Sequence, residues 1–137
     1  MRAVAYLFFY AMNVGLVLLG ALGLLAPRRD FRDQLKIASL DSLGVDAQRT
    51  LLVQYRYLKG FAFAVGLTGL LLRDEIFTNP AANRMYLAAL GFAALGRVVG
   101  LLRDGVPNRL LAFVIIPFEI ITPVVIWLYS RQTLVGG

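Results

Sequence analysis

The sequence predicts an all-α integral membrane protein, an up-down bundle of four transmembrane helices that forms a single domain over residues 1–137. The chain is 59% hydrophobic and 16% charged, whereas a soluble domain is about half apolar and about a quarter charged. Its apolar residues are gathered into four blocks, each near the roughly 20 residues that cross a bilayer as a helix. The blocks lack the regular alternation of apolar and polar residues that is typical of membrane strands.

Each apolar block ends at charged residues or at a proline. The predicted spans are residues 3–26, 51–72, 85–102 and 110–129, with a polar loop over residues 27–50. A cleaved signal peptide is an alternative for the first block, but the block is long for that role and the chain retains Met1. We therefore interpret it as a retained span.

The connections between the blocks predict which helices are neighbours. In the long first loop, Phe31, Leu35 and Ala38 follow helical spacing. This pattern fits a short amphipathic helix on the membrane surface, and it equally fits a capped loop with one helical turn. The second and third loops are short and carry turn residues, so we expect consecutive helices to be antiparallel neighbours.

The basic residues predict the orientation of the chain and argue against nucleic acid. The formal net charge is +6, but the bases lie between apolar blocks, where they set topology and meet anionic lipid headgroups. We expect loops one and three in the cytoplasm because they carry more of the bases. These are Arg28, Arg29, Arg32, Lys36, Arg49, Arg103 and Arg109, against Arg2, Arg73, Arg84 and Arg131 on the other side.

The chain contains no Cys and no His. This excludes thiol chemistry, disulfides, zinc sites built on those ligands and the commonest general base. We expect no metal and no cofactor.

Four ionisable residues lie inside the predicted spans, where charges are costly and rare. They are Arg56, Lys59, Arg97 and Glu119. Counted from the face of loops one and three, their depths are roughly 8, 12, 9 and 15 Å. All four are thus expected in one half of the membrane, which makes them the candidate binding site.

The turn between the third and fourth spans predicts an ion pair. A tight hairpin makes these two helices neighbours, and the long side chain of Arg97 can bridge the difference in level to Glu119. Pro117 and Pro123 flank Glu119, and each removes a backbone donor, so we expect a kink around the carboxylate. Tyr57 adds a polar group near the bases of the second span.

In this arrangement three bases face one acid, and an uncompensated buried charge is unfavourable. Two explanations remain open. Arg56 and Lys59 can reach the headgroup layer along their own stems, or an anionic lipid or ligand can lie in a basic pocket between helices. A purely structural role remains open for the pair of Arg97 and Glu119.

Two further polar and small-residue features predict contacts between helices. Asn13, in the first span, is expected to hydrogen-bond to another helix. Gly96 and Gly100 form a GxxxG pair, which allows two helix backbones to approach closely. We expect this approach within the bundle, and a dimer face is the alternative.

The second half of the chain resembles the DUF4345 family, small bacterial four-helix membrane proteins of unassigned function that are distantly similar to DoxX-type proteins. The likeness covers roughly residues 5–130. The family's Arg and Gly of the second span correspond to Arg56 and Gly60, those of the third span to Arg97 and Gly100, and its acid to Glu119. The resemblance implies a bacterial inner membrane and supplies no activity.

Taken together, these features favour a non-enzymatic membrane protein. Its partners would be membrane lipids, most simply anionic ones, a small amphipathic ligand or a partner subunit. The predicted binding residues are Arg56, Tyr57, Lys59, Arg97 and Glu119. The alternatives are an enzyme that acts on a lipidic substrate with Glu119 as acid or base, and a subunit of an oligomeric transporter or channel.

Overall fold

A computed structural model describes residues 1–34, 40, 42–107 and 109–134 of the chain, and the regular structure within these residues is entirely helical. This confirms the predicted all-α class. The helices are α1 (Arg2–Leu25), α2 (Pro27–Gln34), α3 (Val45–Leu71), α4 (Arg73–Thr78), α5 (Pro80–Asp104) and α6 (Ile116–Leu134), with a π-helical segment (Leu111–Ile115) before α6.

Three of the long helices are long and apolar enough to cross a membrane. They are α1, α5 and the continuous helix Leu111–Leu134 that the π-helical segment and α6 form together. The fourth long helix, α3, has 27 residues but carries Arg56 and Lys59 and does not reach the same apolar content. Four long helices therefore lie close to the predicted blocks, and three of them have the composition of a membrane span.

The segments predicted as loops contain more helix than the sequence indicated. Residues 27–34 form α2 directly after α1, and α3 begins at Val45, six residues before the predicted start of the second span. In the predicted amphipathic pattern, Leu35 and Ala38 lie outside the described residues. The second loop also holds a short helix, α4, which the sequence analysis did not predict.

Local sequence explains where α5 starts and ends. The Asn79 side chain accepts hydrogen bonds from the backbone amides of Ala81 at 2.9 Å and Ala82 at 3.4 Å. Pro80 occupies the first helical position, where its missing amide hydrogen costs nothing. At the other end, Gly105 has a φ of 89°, a conformation that favours glycine because a Cβ would clash.

The π-helical segment lies where proline chemistry predicts an irregularity. Pro117 has no amide hydrogen to donate to the carbonyl four residues earlier. The backbone amide of Ile116 instead donates to the carbonyl of Leu111, five residues back. A π-helical segment thus precedes Pro117 on the N-terminal side of Glu119, and Pro123 lies inside α6 without ending it. The kink around Glu119 stays a prediction.

The hydrophobic core lies between α1, α4, α5 and α6. Its buried members are Phe9, Met12, Ile76, Phe77, Tyr86, Leu90 and Ile126. Tyr6 stacks on Phe77 with 4.6 Å between ring centroids, and Tyr129 packs edge-on against the same ring. The aromatic side chains fix one end of the helices around a densely packed cluster.

Asn13 links α1 to α5 inside this core, as the sequence predicted. Its side chain is fully buried, and its amide nitrogen lies 2.6 Å from the Tyr86 hydroxyl and 2.8 Å from the Phe9 carbonyl. Asn83 makes the equivalent link from α5 to α6 through the Ser130 hydroxyl, at 2.9 Å.

Glycines allow α1 and α3 to approach closely. A Cβ atom at Gly20 would lie 2.7 Å from the backbone nitrogen of Phe63, and one at Gly66 would lie 2.7 Å from the backbone oxygen of Asn13. Both contacts are with backbone atoms, so a side chain at either position would force the two helices apart. These two glycines therefore form the close contact between α1 and α3.

The GxxxG pair of α5 is not a contact between helices of this chain. A Cβ atom at Gly96 would meet nothing within 4 Å, and one at Gly100 would meet only the Asp104 carboxylate. The expectation that this pair packs within the bundle is wrong for the described residues.

The long helices do not close into a compact ring. Helix α1 packs against α3 and α6, and α5 packs against α6. Helices α3 and α5, which follow one another among the four long helices, make little direct contact among the described residues. The prediction that all consecutive helices are neighbours therefore fails at this pair, and a gap separates α3 from α5.

Candidate functional site

The gap between α3 and α5 contains a cavity of about 520 Å³, within the range of about 300–1,000 Å³ that is typical of ligand pockets. Most of its wall is aliphatic or aromatic, and Met12 and Leu90 of the core form part of it. Its hydrogen-bonding and charged side chains are Tyr55, Lys59, Arg97 and Glu119. Such a cavity suits a ligand that is mainly apolar and has one polar group.

Arg97 of α5 and Glu119 of α6 form the predicted ion pair. Nε of Arg97 lies 2.8 Å from Oε2 of Glu119, and Nη2 lies 3.3 Å from Oε1. Both oxygens of the carboxylate are therefore engaged in a two-point contact, the strong geometry for these groups. The pair is confirmed, and it fixes the plane of the guanidinium at the cavity wall.

The Arg97–Glu119 pair is only partly shielded. The Arg97 side chain is 43% exposed and that of Glu119 is 23% exposed. A guanidinium has five N–H donors, and this pair uses two of them. Arg97 is thus a positioned cation that retains donors for a further acceptor.

Lys59 of α3 is bound by a second carboxylate, Asp30 of α2. Its Nζ lies 2.8 Å from Oδ2 of Asp30, whose side chain is fully buried, while the Lys59 side chain is 15% exposed. The Tyr55 hydroxyl donates to the same oxygen at 2.6 Å. The Lys59 ammonium also lies 5.2 Å from the centre of the Tyr55 ring, a favourable cation–aromatic distance.

A glycine in α1 makes room for this second pair. A Cβ atom at Gly23 would lie 2.6 Å from Cδ of Lys59 and 2.8 Å from Oδ2 of Asp30. The bare backbone at Gly23 therefore allows Lys59 to cross α1 and reach α2. The pair joins three helices at the end of the molecule that carries the first loop.

Three of the five predicted site residues line the cavity, and two do not. Lys59, Arg97 and Glu119 are in its wall, whereas Arg56 and Tyr57 are outside it with exposed side chains. Tyr55 and Lys59 are four residues apart and share one helix face, and it is this face of α3 that lines the cavity. In the cavity wall the neighbour of Lys59 on α3 is therefore Tyr55 rather than Arg56.

The charge sum expected from the sequence also needs correction. Asp30 supplies a second acid, so the cavity region contains two matched pairs rather than three bases and one acid. Lys59 is bound to a carboxylate of the chain itself, an arrangement that neither of the two sequence-based explanations included. In the described part of the chain Arg56 has no ion-pair partner and is exposed.

Sequence reasoning missed Asp30 because it lies in a polar, mixed-charge segment that resembles a surface loop. Its spacing from Gly23 carried no signal either, because the helix is interrupted at Ala26 between α1 and α2.

The described residues hold no group of three or more acidic side chains that could bind a metal ion. The site instead offers aliphatic surface, one tyrosine hydroxyl and two positioned cations. This set can hold an apolar chain and bind an acceptor such as a phosphate or carboxylate.

The helices and the cavity together define a class: a small helical protein with an apolar exterior and an apolar interior site that carries ion pairs. Leu7, Phe92 and Phe113 are among many large hydrophobic side chains that are exposed on the outside. An exterior of this kind, with three helices suited to cross a bilayer, is typical of a membrane protein.

The chain belongs to the family described as Domain of unknown function (DUF4345), which matches residues 4–130. The family resemblance predicted from the sequence is thereby confirmed. No curated protein and no solved structure matches the chain.

Proposed function

We propose that this protein is a non-enzymatic, multi-pass membrane protein that binds an amphipathic lipid in the cavity between α3 and α5. The apolar part of the lipid lies against the aliphatic wall, and its anionic group, a phosphate or carboxylate, binds Arg97. The observation that carries the proposal is an apolar cavity of about 520 Å³ with a two-point-anchored guanidinium in its wall.

In this proposal α3 is a fourth membrane span. Its 27 residues reach about 40 Å as a helix, more than the roughly 30 Å of a hydrocarbon core. It packs closely along α1 through the glycine contacts, and α1 is itself apolar enough to span. The contact of Lys59 with Asp30 removes the main obstacle, because a paired ammonium is far less costly at depth than a lone one.

The gap between α3 and α5 gives the lipid its route to the cavity. Because these two helices make little direct contact, a chain in the surrounding bilayer can enter sideways without crossing a polar surface. The walls are mainly aliphatic, and Leu58 and Phe61 of α3 extend from the cavity to the exposed outer surface. Lateral entry of this kind suits a membrane lipid better than a water-soluble ligand.

The orientation of Arg97 supports anion binding over the alternative uses of the site. Glu119 holds the guanidinium in place with both of its oxygens, and three N–H donors remain for a ligand. Proton transfer through Glu119 would first require this pair to part. The geometry therefore favours binding over acid–base catalysis.

The location proposed for the protein is the bacterial inner membrane, with loops one and three in the cytoplasm. The excess of Arg and Lys in these two loops supports this orientation. The same bases would attract anionic headgroups to the side of the membrane on which the charged end of the cavity lies.

Native mass spectrometry of the purified full-length protein tests the proposal. We expect lipid-sized adducts on the wild type and on Arg84→Ala, a control that removes an exposed base from the same helix. The double variant Arg97→Gln with Glu119→Gln removes both charges together and leaves neither partner unpaired. Loss of adducts in this folded variant is expected, and their full retention would refute the proposed site.

A further inference from the structure

A second, smaller cavity adjoins the first on the side of the third loop. Its volume is about 220 Å³, and it lies between the C-terminal turns of α5, the hairpin after α5 and the π-helical segment. Gly96, Arg97 and Leu111 belong to the walls of both cavities. Arg97 thus stands where the apolar cavity meets a smaller space that leads to the loop face.

The floor of the second cavity is a stretch of bare helix backbone. A Cβ atom at Gly96 would meet nothing within 4 Å, and one at Gly100 would meet only the Asp104 carboxylate oxygen at 4.0 Å. These glycines do not serve helix packing in the described chain. They leave a shallow, open groove along α5 between Arg97 and Asp104.

Asp104 is an acid at the end of this groove opposite Arg97. It lines the second cavity and follows Arg97 by seven residues, about 10 Å along the helix axis and on nearly the same face. Its side chain is exposed, and it has no ion-pair partner within the described residues. A cation at one end and an acid at the other therefore face the same small cavity.

The charges of the site favour a ligand that carries both signs. In the first cavity Lys59 and Arg97 are each matched by a carboxylate, so a purely anionic headgroup would meet little net positive charge. The same headgroup would also approach the negative charge of Asp104. A headgroup with a phosphate and an amine would place each of its charges beside an opposite one.

We propose that the second cavity holds a zwitterionic aminophospholipid headgroup, with its phosphate on Arg97, its ammonium on Asp104, and the lipid tail in the larger cavity. This inference rests on the proposed lipid-binding function and adds the class of headgroup. It also gives the lipid a direction. The headgroup faces the third loop at the membrane surface, and the tail runs towards the core residues Met12 and Leu90.

Binding of short-chain phospholipids to the purified full chain in detergent tests this inference. Dioctanoyl phosphatidylethanolamine, phosphatidylglycerol and phosphatidic acid are titrated separately, and bound lipid is measured by native mass spectrometry. We expect the ethanolamine lipid to bind about tenfold more tightly than the glycerol lipid, the effect of one charge-assisted hydrogen bond. Asp104→Asn is expected to reduce this preference to within about twofold, because it weakens ethanolamine binding and removes a repulsion from the glycerol and phosphatidic acid headgroups, whose affinities should not fall.

Glu75→Gln is the matched control, because it removes an exposed acid from α4, outside both cavities. It is expected to keep the full preference. Equal binding of the ethanolamine and glycerol lipids by the wild type would overturn the headgroup assignment while lipid binding itself stood. Failure of all three lipids to bind the folded wild type would instead overturn the proposed function on which the assignment rests.

Discussion

Lys59 and Asp30 form an ion pair that holds the short helix α2 against the long helix α3. The ammonium of Lys59 lies 2.8 Å from Oδ2 of a carboxylate that is fully buried. Tyr55 donates to the same oxygen, and Gly23 leaves the space that the pair occupies. One acid of the short helix α2 thus binds two side chains of α3 across the end of α1.

Removal of Asp30 should strongly destabilise the fold. In Asp30→Asn the Lys59 ammonium loses its charge partner, and breaking a buried pair in this way costs about 3–5 kcal/mol. Thermal unfolding of the purified protein in detergent measures the effect. The variant Asp46→Asn, at an exposed acid in the first turn of α3, should unfold within about 0.5 kcal/mol of wild type.

The same experiment includes a rescue. Asp30→Asn combined with Lys59→Met removes both charges and should recover most of the lost stability, because no buried charge is then left without a partner. A double variant as unstable as Asp30→Asn alone would show that the ion pair is not the source of the effect.

Gly66→Ala should separate α1 from α3. The added methyl would lie 2.7 Å from the backbone oxygen of Asn13, and overpacking of this kind costs about 1–3 kcal/mol. Gly15→Ala is the matched control in α1, because a Cβ at Gly15 meets nothing within 4 Å. It should be neutral or stabilising by up to about 1 kcal/mol from helix propensity, and equal destabilisation of both variants would contradict the close contact.

Exchange of Arg97 and Glu119 should separate the structural role of this pair from its role in binding. Arg97→Glu alone places two acids together and should lower stability by about 1–3 kcal/mol, since the pair is partly exposed. Addition of Glu119→Arg should restore most of that loss. Phospholipid binding, measured by native mass spectrometry, should remain lost because residue 119 does not line the second cavity.

A restored lipid affinity in the exchanged variant would contradict the assigned geometry. It would mean that any cation in the larger cavity suffices, whether it projects from α5 or from α6.

The absence of native cysteine makes a topology test direct. Single cysteines at Gly44, Glu75 and Val106 all lie at exposed positions, and each is labelled in sealed vesicles with a membrane-impermeant maleimide. If α3 spans the membrane, residues 44 and 106 should label from one side and residue 75 from the other. Labelling of residues 44 and 75 from the same side would exclude α3 as a span.

Local sequence was sufficient for the helices and for one ion pair. Apolar blocks bounded by charge, proline and glycine predicted all four long helices, because each helix satisfies its own backbone and needs no distant partner. The pair of Arg97 and Glu119 was also predictable from the sequence. A tight turn makes the flanking helices neighbours, so only the position of each residue along its helix axis had to be estimated.

Contacts between segments that are distant in sequence could not be predicted in this way. The position of Asp30 depends on how α2 folds against α1 and α3. A polar segment has no apolar face, so its sequence does not predict which side packs against the other helices. The rotation of α3 likewise decided that Tyr55 rather than Arg56 accompanies Lys59 in the cavity wall.

The sequence by itself therefore determined the helical class, the approximate helix boundaries and the membrane-type composition, because these depend on hydropathy and local backbone chemistry. Only the tertiary structure decided that α3 and α5 stay apart around a cavity, and that Lys59 is matched by Asp30. Both depend on side-chain size and charge at contacts between distant segments, where Gly23 and Gly66 allow close approach and the facing sides of α3 and α5 do not pack.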